Sequence, residues 1–386
     1  MRITCVGGGP AGLYFSLLMK LRHPEHDIRL LERNVTNATH GWGVTLGQDV
    51  LEALRGHDPV SAQELERAAL RWTHQAVHIG GRREVQGGFS MYNIARQSLV
   101  DILARRASDA GVRIDYGREV TSLADVPPCD LVVAADGAGS QLRSAVAEFG
   151  TSTRLSGNKY IWLGSGVPFD GTFNYIFAST HCGWVWAYEY QFNTRASTFI
   201  VECSPQTWTG LGLDVLPTDE AAAFLSDVFK EHLGGHPLTA KLPDGTLAKW
   251  LNFRIVTNQR WHVGNLVLAG DSAHTAHYTL GQGTRMALED AIALADSLQQ
   301  HAGLDAALTA YEARRKAELV RPLSEARCSA EWFENLPRYS RLKPGQFAAL
   351  LQRRWSPLIQ VLPPRFSYLL LMAGRRITVP DRIRLS

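Results

Sequence analysis

Ile3-Thr4-Cys5-Val6-Gly7-Gly8-Gly9-Pro10-Ala11-Gly12 is the stretch on which the fold turns, and Glu32, twenty residues past its last glycine, completes it. The apolar run Ile3–Val6 reads as a buried strand and the glycines as a turn. Leu13–Leu21 then reads as a helix and Ile28–Leu31 as a second strand, the opening of a βαβ unit. In the spacing Gly7-x-Gly9-x-x-Gly12, Gly7 permits the tight turn and Gly9 lets a pyrophosphate approach the backbone. Gly12 lets helix and strand pack, and the helix start, opened by Pro10 and continuing at Ala11, offers unpaired N–H groups from Ala11 onward to phosphate. Glu32, followed by Arg33, is placed to accept from an adenosine ribose. The stretch predicts a dinucleotide site.

Outward from that unit, the composition is that of an ordinary globular chain. It has 386 residues, 45% hydrophobic and 20% charged, which excludes global disorder and leaves room for two packed domains. A net charge of +3 gives no general attraction for nucleic acid. Cys5, Cys129, Cys182, Cys203 and Cys328 are odd in number, scattered and without a C-x-x-C pair, which argues against a disulfide framework or a zinc site. The histidines show no metal-ligand spacing, so no metal is expected. No signal peptide and no bilayer-spanning run is read, and the expected location is the cytoplasm, away from membranes. No G-x-S-x-G elbow points to acyl transfer.

A helix is predicted over Arg96–Ala110 and a fully buried strand at Asp130–Ala135. The middle third is different: Tyr160–Leu163, Phe173–Phe177, Trp184–Tyr190 and Ser197–Glu202 read as consecutive antiparallel strands, with a helix over about 218–233. A strand of the first kind returns at Asn265–Ala269, followed by a glycine-broken loop and a helix over Arg285–Gln300. Residues 311–386 hold fifteen Lys and Arg against six Asp and Glu, either a solvated helical face or an anion site.

Two later segments resemble those of the class A flavoprotein aromatic hydroxylases, the para-hydroxybenzoate hydroxylase family. Cys129–Arg143, with Asp136-Gly137 ending its strand, looks like that family's second fingerprint. Gly264–His274, with Gly270-Asp271 ending its strand, looks like the third, and Gly281-Gln282-Gly283 continues the pattern. The resemblance implies an α/β fold: a discontinuous Rossmann-like FAD-binding domain (1–155 and 255–320), an inserted, mostly antiparallel β-sheet substrate domain (156–254), and a C-terminal helical segment (321–386). It implies non-covalent FAD, with NADH or NADPH as co-substrate binding transiently. Asp271 would meet the ribityl hydroxyls, Arg96 would lie along the cofactor, and Gly281 to Gly283 would face the flavin ring. The family's prolines before the glycine turn are replaced here by His277 and Tyr278.

A closer similarity, carried by Gly41–Val44, Asn158–Gly164, Ser197–Cys203 and Glu331–Leu336, is to the subgroup of aryl-CoA hydroxylases acting on salicylyl- and anthraniloyl-CoA; two of these segments also resemble the violacein-pathway tryptophan hydroxylase. The implied activity is a single-component monooxygenase in which NAD(P)H reduces the flavin, O₂ adds to give a C4a-hydroperoxide, and an electron-rich aromatic small molecule, in the first instance CoA-linked, is hydroxylated. An indole or tryptophan-type hydroxylase, and a flavoprotein oxidase or non-oxygenating flavin binder, stay open beside it. Candidate substrate residues are Trp42, Trp162, Trp186 and Tyr188, with Arg353 and Arg354 offered to the CoA phosphates. His277, Tyr278 and His274 are the candidate catalytic groups, a histidine titrating near neutral pH being able to take a phenol or aniline proton.

Overall fold

The computed structural model describes residues 1–35, 41–166 and 171–377. Arg2–Val6 pairs in parallel with Asp27–Glu32 on one side and Leu131–Ala134 on the other. Arg113–Tyr116 and Leu266–Leu268 extend this sheet in parallel, and His262–Val263 closes its edge antiparallel, giving six strands. Its central strands are buried on both faces, which is why they read as continuous apolar runs. The helices Pro10–Arg22, Arg96–Asp109 and Gly283–Gln300 cover it.

The second sheet has eight strands, and it is not confined to the inserted stretch. In spatial order they are Leu238–Thr239, Lys159–Ser165, Ser197–Cys203, Gly183–Gln191, Thr172–Thr180, Leu70–Ile79, Arg82–Ala95 and Gly43–Gly47. Leu70–Ile79 and Arg82–Ala95 form a hairpin about Gly80 and Gly81, both at positive φ (58° and 69°), the geometry of a two-residue turn. The first of them pairs in parallel with Thr172–Thr180, and the other pairings are antiparallel. Ser152–Leu155 and Arg254–Thr257 pair where the chain crosses between the two sheets.

Period-two alternation gives this sheet two different faces. Val185, Ala187, Phe199 and Val201 pack against the helix Thr218–Val228 and the short helix Lys230–Leu233. Tyr175, Trp186, Tyr188 and Ile200 point the other way, onto Trp332, Phe333, Phe347 and Leu351 of the C-terminal helices. One 31-residue helix, Leu304–Glu334, runs without interruption across residue 320 and links the two cores. Among the described residues no helix is long and apolar enough to cross a membrane.

Candidate active site

A cleft lies where the carboxyl ends of Arg2–Val6, Leu131–Ala134 and Leu266–Leu268 meet the aromatic face of the larger sheet. Two cavities make it up, of about 350 Å³ and about 220 Å³, and Gly9, Arg96, Ala135 and Gly137 line both. The smaller is walled by Gly7, Glu32, Arg33 and Asp136; the larger holds Pro10, Ala11, Gly270, Asp271, Gly281 and Gly283 on one side. Trp162, Tyr188, Tyr278 and Arg354 face them or flank them from the other.

The glycine turn has the shape its sequence promised. Gly7 sits at φ +109°, and a side chain there would drive into the Ala135 carbonyl. Gly12 has no room for a Cβ beside the Gly7 carbonyl oxygen. A Cβ on Gly9 or Gly283 would meet no protein atom within 4 Å, so these two backbones border open cleft. Glu32 accepts the N–H of Gly8 at 2.5 Å and of Asn34 at 2.8 Å, at the end of its strand. Arg96 Nε and Asp136 Oδ1 are buried polar atoms without a partner. Burial pulls the Arg96 guanidinium down from its ordinary value, with Asp271 acting against it. Asp271 opens onto the cleft, and desolvation by the cleft walls pushes its carboxyl up, opposed by His274 and Arg96. A long two-part groove with orphaned polar atoms and two open glycines fits an extended dinucleotide carrying a polyol link.

Not every expected residue reaches the cleft. Gln282 caps the helix Gly283–Gln300 without lining a cavity. His274 Nε2 lies 2.9 Å from Asp290 Oδ2, and its ring stacks on Trp261; it belongs to a buried polar hub with Arg315. His277 is buried between Phe253 and Tyr278, and burial pulls its imidazole down to about 3. Neither histidine borders the larger cavity, and His277 stays neutral near pH 7 instead of titrating there. Trp42 packs on the Gly164 backbone and Phe192, and Trp186 stacks on Phe333; both are behind the wall.

Arg353 and Arg354 part company. Arg353 is exposed and lies over Trp355. Arg354 is 6% exposed and donates to Ser329 Oγ, the Leu351 carbonyl, Tyr175 Oη and the Thr279 carbonyl. It cannot reach a phosphate at the surface. It ties the C-terminal helices to the loop Tyr278–Leu280 instead.

Sequence reasoning missed Glu202. It is fully buried on the aromatic face, opposite Tyr160 and Trp186 in register, and accepts from Tyr188 and Tyr278 hydroxyls (2.7 Å each) and from Asn158 Nδ2 (2.8 Å). The signal was there: one carboxylate in an otherwise apolar strand, at a position its alternation turns inward. His23, Glu25 and His26 bring their ligating atoms within 4.8 Å of one another, and none lines either cavity.

The two-sheet architecture and its two-part groove are those of a dinucleotide-binding protein. Residues 128–322 match the family model described as FAD binding domain, and the chain belongs to that family. It is 36% identical over 360 residues to salicyloyl-CoA 5-hydroxylase of a Streptomyces species, covering 90% of this chain and 68% of the relative. It is also 36% identical to 3-hydroxy-4-methyl-anthranilyl-[aryl-carrier protein] 5-monooxygenase of Streptosporangium sibiricum, covering 87% and 90%. The solved structure of a 2-methyl-3-hydroxypyridine-5-carboxylic acid oxygenase variant shares the fold, with a TM-score of 0.70 at 20% identity over 94% of this chain and 99% of that one. The protein is an FAD-dependent aromatic monooxygenase, with NAD(P)H as the co-substrate usual for the family and O₂ as oxidant.

Asp271, beside Arg96 on the cleft wall, gives a direct test of the cofactor site. If Asp271 meets the ribityl hydroxyls, as the resemblance implies, replacing it with Ala leaves those donors unpaired, worth roughly 1–3 kcal/mol. FAD affinity, read by flavin fluorescence quenching, should fall by about one to two decades.

Proposed function

We propose that the protein hydroxylates an electron-rich aromatic ring presented as an aryl thioester, most directly an aryl-CoA. The observation that carries this reading is the larger cavity: an aromatic-walled space of about 350 Å³ directly beside Asp271 and the Gly281–Gly283 turn. Two relatives at 36% identity are named for aryl groups carried on coenzyme A and on an aryl-carrier protein, which supports a thioester. In this reading Gly7, Gly9, Pro10, Ala11, Gly12, Glu32, Arg33 and Asp136 hold the adenosine diphosphate half of FAD. Arg96, Gly270, Asp271, Gly281 and Gly283 hold the flavin half. When bound, FAD would supply the redox chemistry, taking electrons from NAD(P)H and activating O₂, one atom of which goes to the ring and the other to water.

The chain's own groups do the rest. Trp162, Phe173, Tyr175 and Tyr188 exclude water and clamp the ring. The first N–H groups of the helix Gly283–Gln300 add a fixed positive dipole beside the flavin's place. Arg353, exposed on the basic C-terminal segment, remains available to a CoA phosphate. Five free cysteines fit a reducing, cytoplasmic setting.

NAD(P)H consumption and product mass across salicyloyl-CoA, anthraniloyl-CoA, free salicylate, tryptophan and indole test the reading. The expected result is a product gaining one oxygen atom from a CoA thioester, with free salicylate turned over far more slowly. Turnover of indole or tryptophan with none of either thioester overturns it, as does peroxide release without hydroxylated product on every substrate.

A further inference from the structure

Glu202 has no cation within ion-pair reach among the described residues, yet it is wholly buried. A buried carboxylate without a counter-ion is costly and is tolerated only when its lone pairs are filled. Three neutral donors fill them: Asn158 Nδ2 on Oε1, and the Tyr188 and Tyr278 hydroxyls together on Oε2. The direction of these bonds is forced, because an ionised carboxylate only accepts. Each tyrosine hydroxyl has therefore spent its one proton on Glu202, and what it has left to offer is a lone pair.

The Tyr188 lone pair is taken by the Trp186 indole N–H at 3.2 Å. No described group donates to the Tyr278 hydroxyl, and Tyr278 lines the larger cavity. With its hydroxyl turned to the occupant, Tyr278 would offer an acceptor backed by a buried anion, one hydrogen bond behind it. Such a wall selects a ring bearing an O–H or N–H donor, the kind of substituent that also enriches a ring in electrons.

We propose that Glu202 is the terminal proton acceptor of the active site, reached from the substrate's hydroxyl or amino group through Tyr278. The substrate's O–H or N–H bond breaks, its proton goes to Tyr278 Oη, and the proton of Tyr278 moves to Glu202 Oε2. The electron pair stays on the substrate heteroatom and feeds the ring for oxygen attack; the proton returns by the reverse path on product release. No redox partner is required for this step beyond those of the hydroxylation itself.

The surroundings suit the role. Burial raises the Glu202 carboxyl above its usual range, against the hydrogen bonds from Tyr278, Asn158 and Tyr188, and Glu334 on the facing helix raises it further. A raised carboxyl is a better proton acceptor near neutrality. Burial and the Glu202 charge push Tyr188 and Tyr278 well above the ordinary phenol range, so Tyr278 passes a proton without lingering as a phenolate. Tyr160, whose ring packs tilted against Tyr278, is pushed up to about 12 by the same causes. Neither His274 nor His277 competes, being paired with Asp290 and held neutral respectively.

The inference rests on the reading that the cavity takes an electron-rich aromatic ring, and the test separates the two. The probe is 4-nitrophenol, bound to the FAD-loaded protein and followed by its phenolate absorbance against pH. In the wild type it should ionise at lower pH than in Glu202→Gln or Tyr278→Phe, by at least tenfold in ionisation constant. The amide that Glu202→Gln introduces is nearly isosteric with the carboxylate, and Tyr278→Phe decides alone if the first variant fails to fold. A merely structural role would lower the melting temperature of both variants and leave the bound probe's ionisation unmoved; that result overturns the proposal. Failure of the wild type to bind the probe at all overturns the cavity reading, and the proposal with it.

Discussion

Asp290→Ala should destabilise the protein by about 3 kcal/mol or more, the cost of removing one partner from a buried charge cluster. The Asp290 side chain has no exposed surface; Arg315 Nε lies 2.7 Å from one oxygen, and His274 Nε2 (2.9 Å) and the Gly270 N–H (2.8 Å) meet the other. Arg315 retains Glu289 and Glu318, which keeps the loss toward the lower end of the usual range. Burial alone would raise the Asp290 carboxyl, but His274 and Arg315 outweigh it and hold it below the ordinary value. A depressed carboxyl stabilises the fold above its unfolded value and loses that contribution as pH falls through its folded one, here below about pH 4. Urea unfolding at neutral pH checks the first expectation. Acid titration checks the second: the wild type should lose stability in that acid window more steeply than the variant. Because Asp290 also fixes the Gly270 N–H, flavin content should fall with it.

Gly7→Ala should cost at least a hundredfold in FAD affinity, or ~2.7 kcal/mol. Its backbone lies at φ +109°, where L side chains are strained, and the new methyl would meet the Ala135 carbonyl and lie 2.8 Å from the Asp136 nitrogen. The strand Leu131–Ala134 must then move away from Arg2–Val6, and the apo protein should melt lower too. Gly9→Ala separates the two effects. Its Cβ touches no protein atom, so apo stability should stay as it is while FAD affinity drops. Equal apo melting of Gly7→Ala and wild type would show that the turn is laxer than its geometry.

Most of this architecture is legible in the residues because the cofactor half obeys local rules. Arg96–Asp109 and Gly283–Gln300 lie within two residues of their predicted spans, and the four middle strands extend theirs at the ends by up to three residues. What escaped was non-local. The hairpin at Gly80-Gly81 carries a turn signal, but nothing in residues 70–95 says which distant strand it will join, and it joins Thr172–Thr180 in parallel. The predicted helix over 218–233 breaks at Phe229, whose side chain fills the core under Phe199. Arg354 was read as one of a basic pair, although Phe347, Leu350, Leu351 and Arg354 recur at i, i+3, i+4 and i+7, and all four are buried. Charge drew the eye where spacing held the answer. Glu202 differs, since its role depends on Tyr278, seventy-six residues away, and no pattern within one strand can announce that.

Synthesis of this chain on a ribosome imposes an order on its assembly. Ile3 partners Leu131, and Val132 partners Leu266, so the sheet beneath the cofactor is stitched from the first, second and last thirds of the chain. At roughly 5–20 residues per second, Asp271 emerges on the order of ten to fifty seconds after Gly12. Through that interval the glycine turn has no opposing Gly270-Asp271, and the apolar edge of Leu131–Ala134 is bare. The eight-stranded sheet, complete once Leu238–Thr239 has emerged, is free to form first. Flavin can therefore reward only a chain made at least to Gly283, and cannot template what comes before it. Yield in a heterologous host should track chaperone capacity during elongation more closely than riboflavin supply.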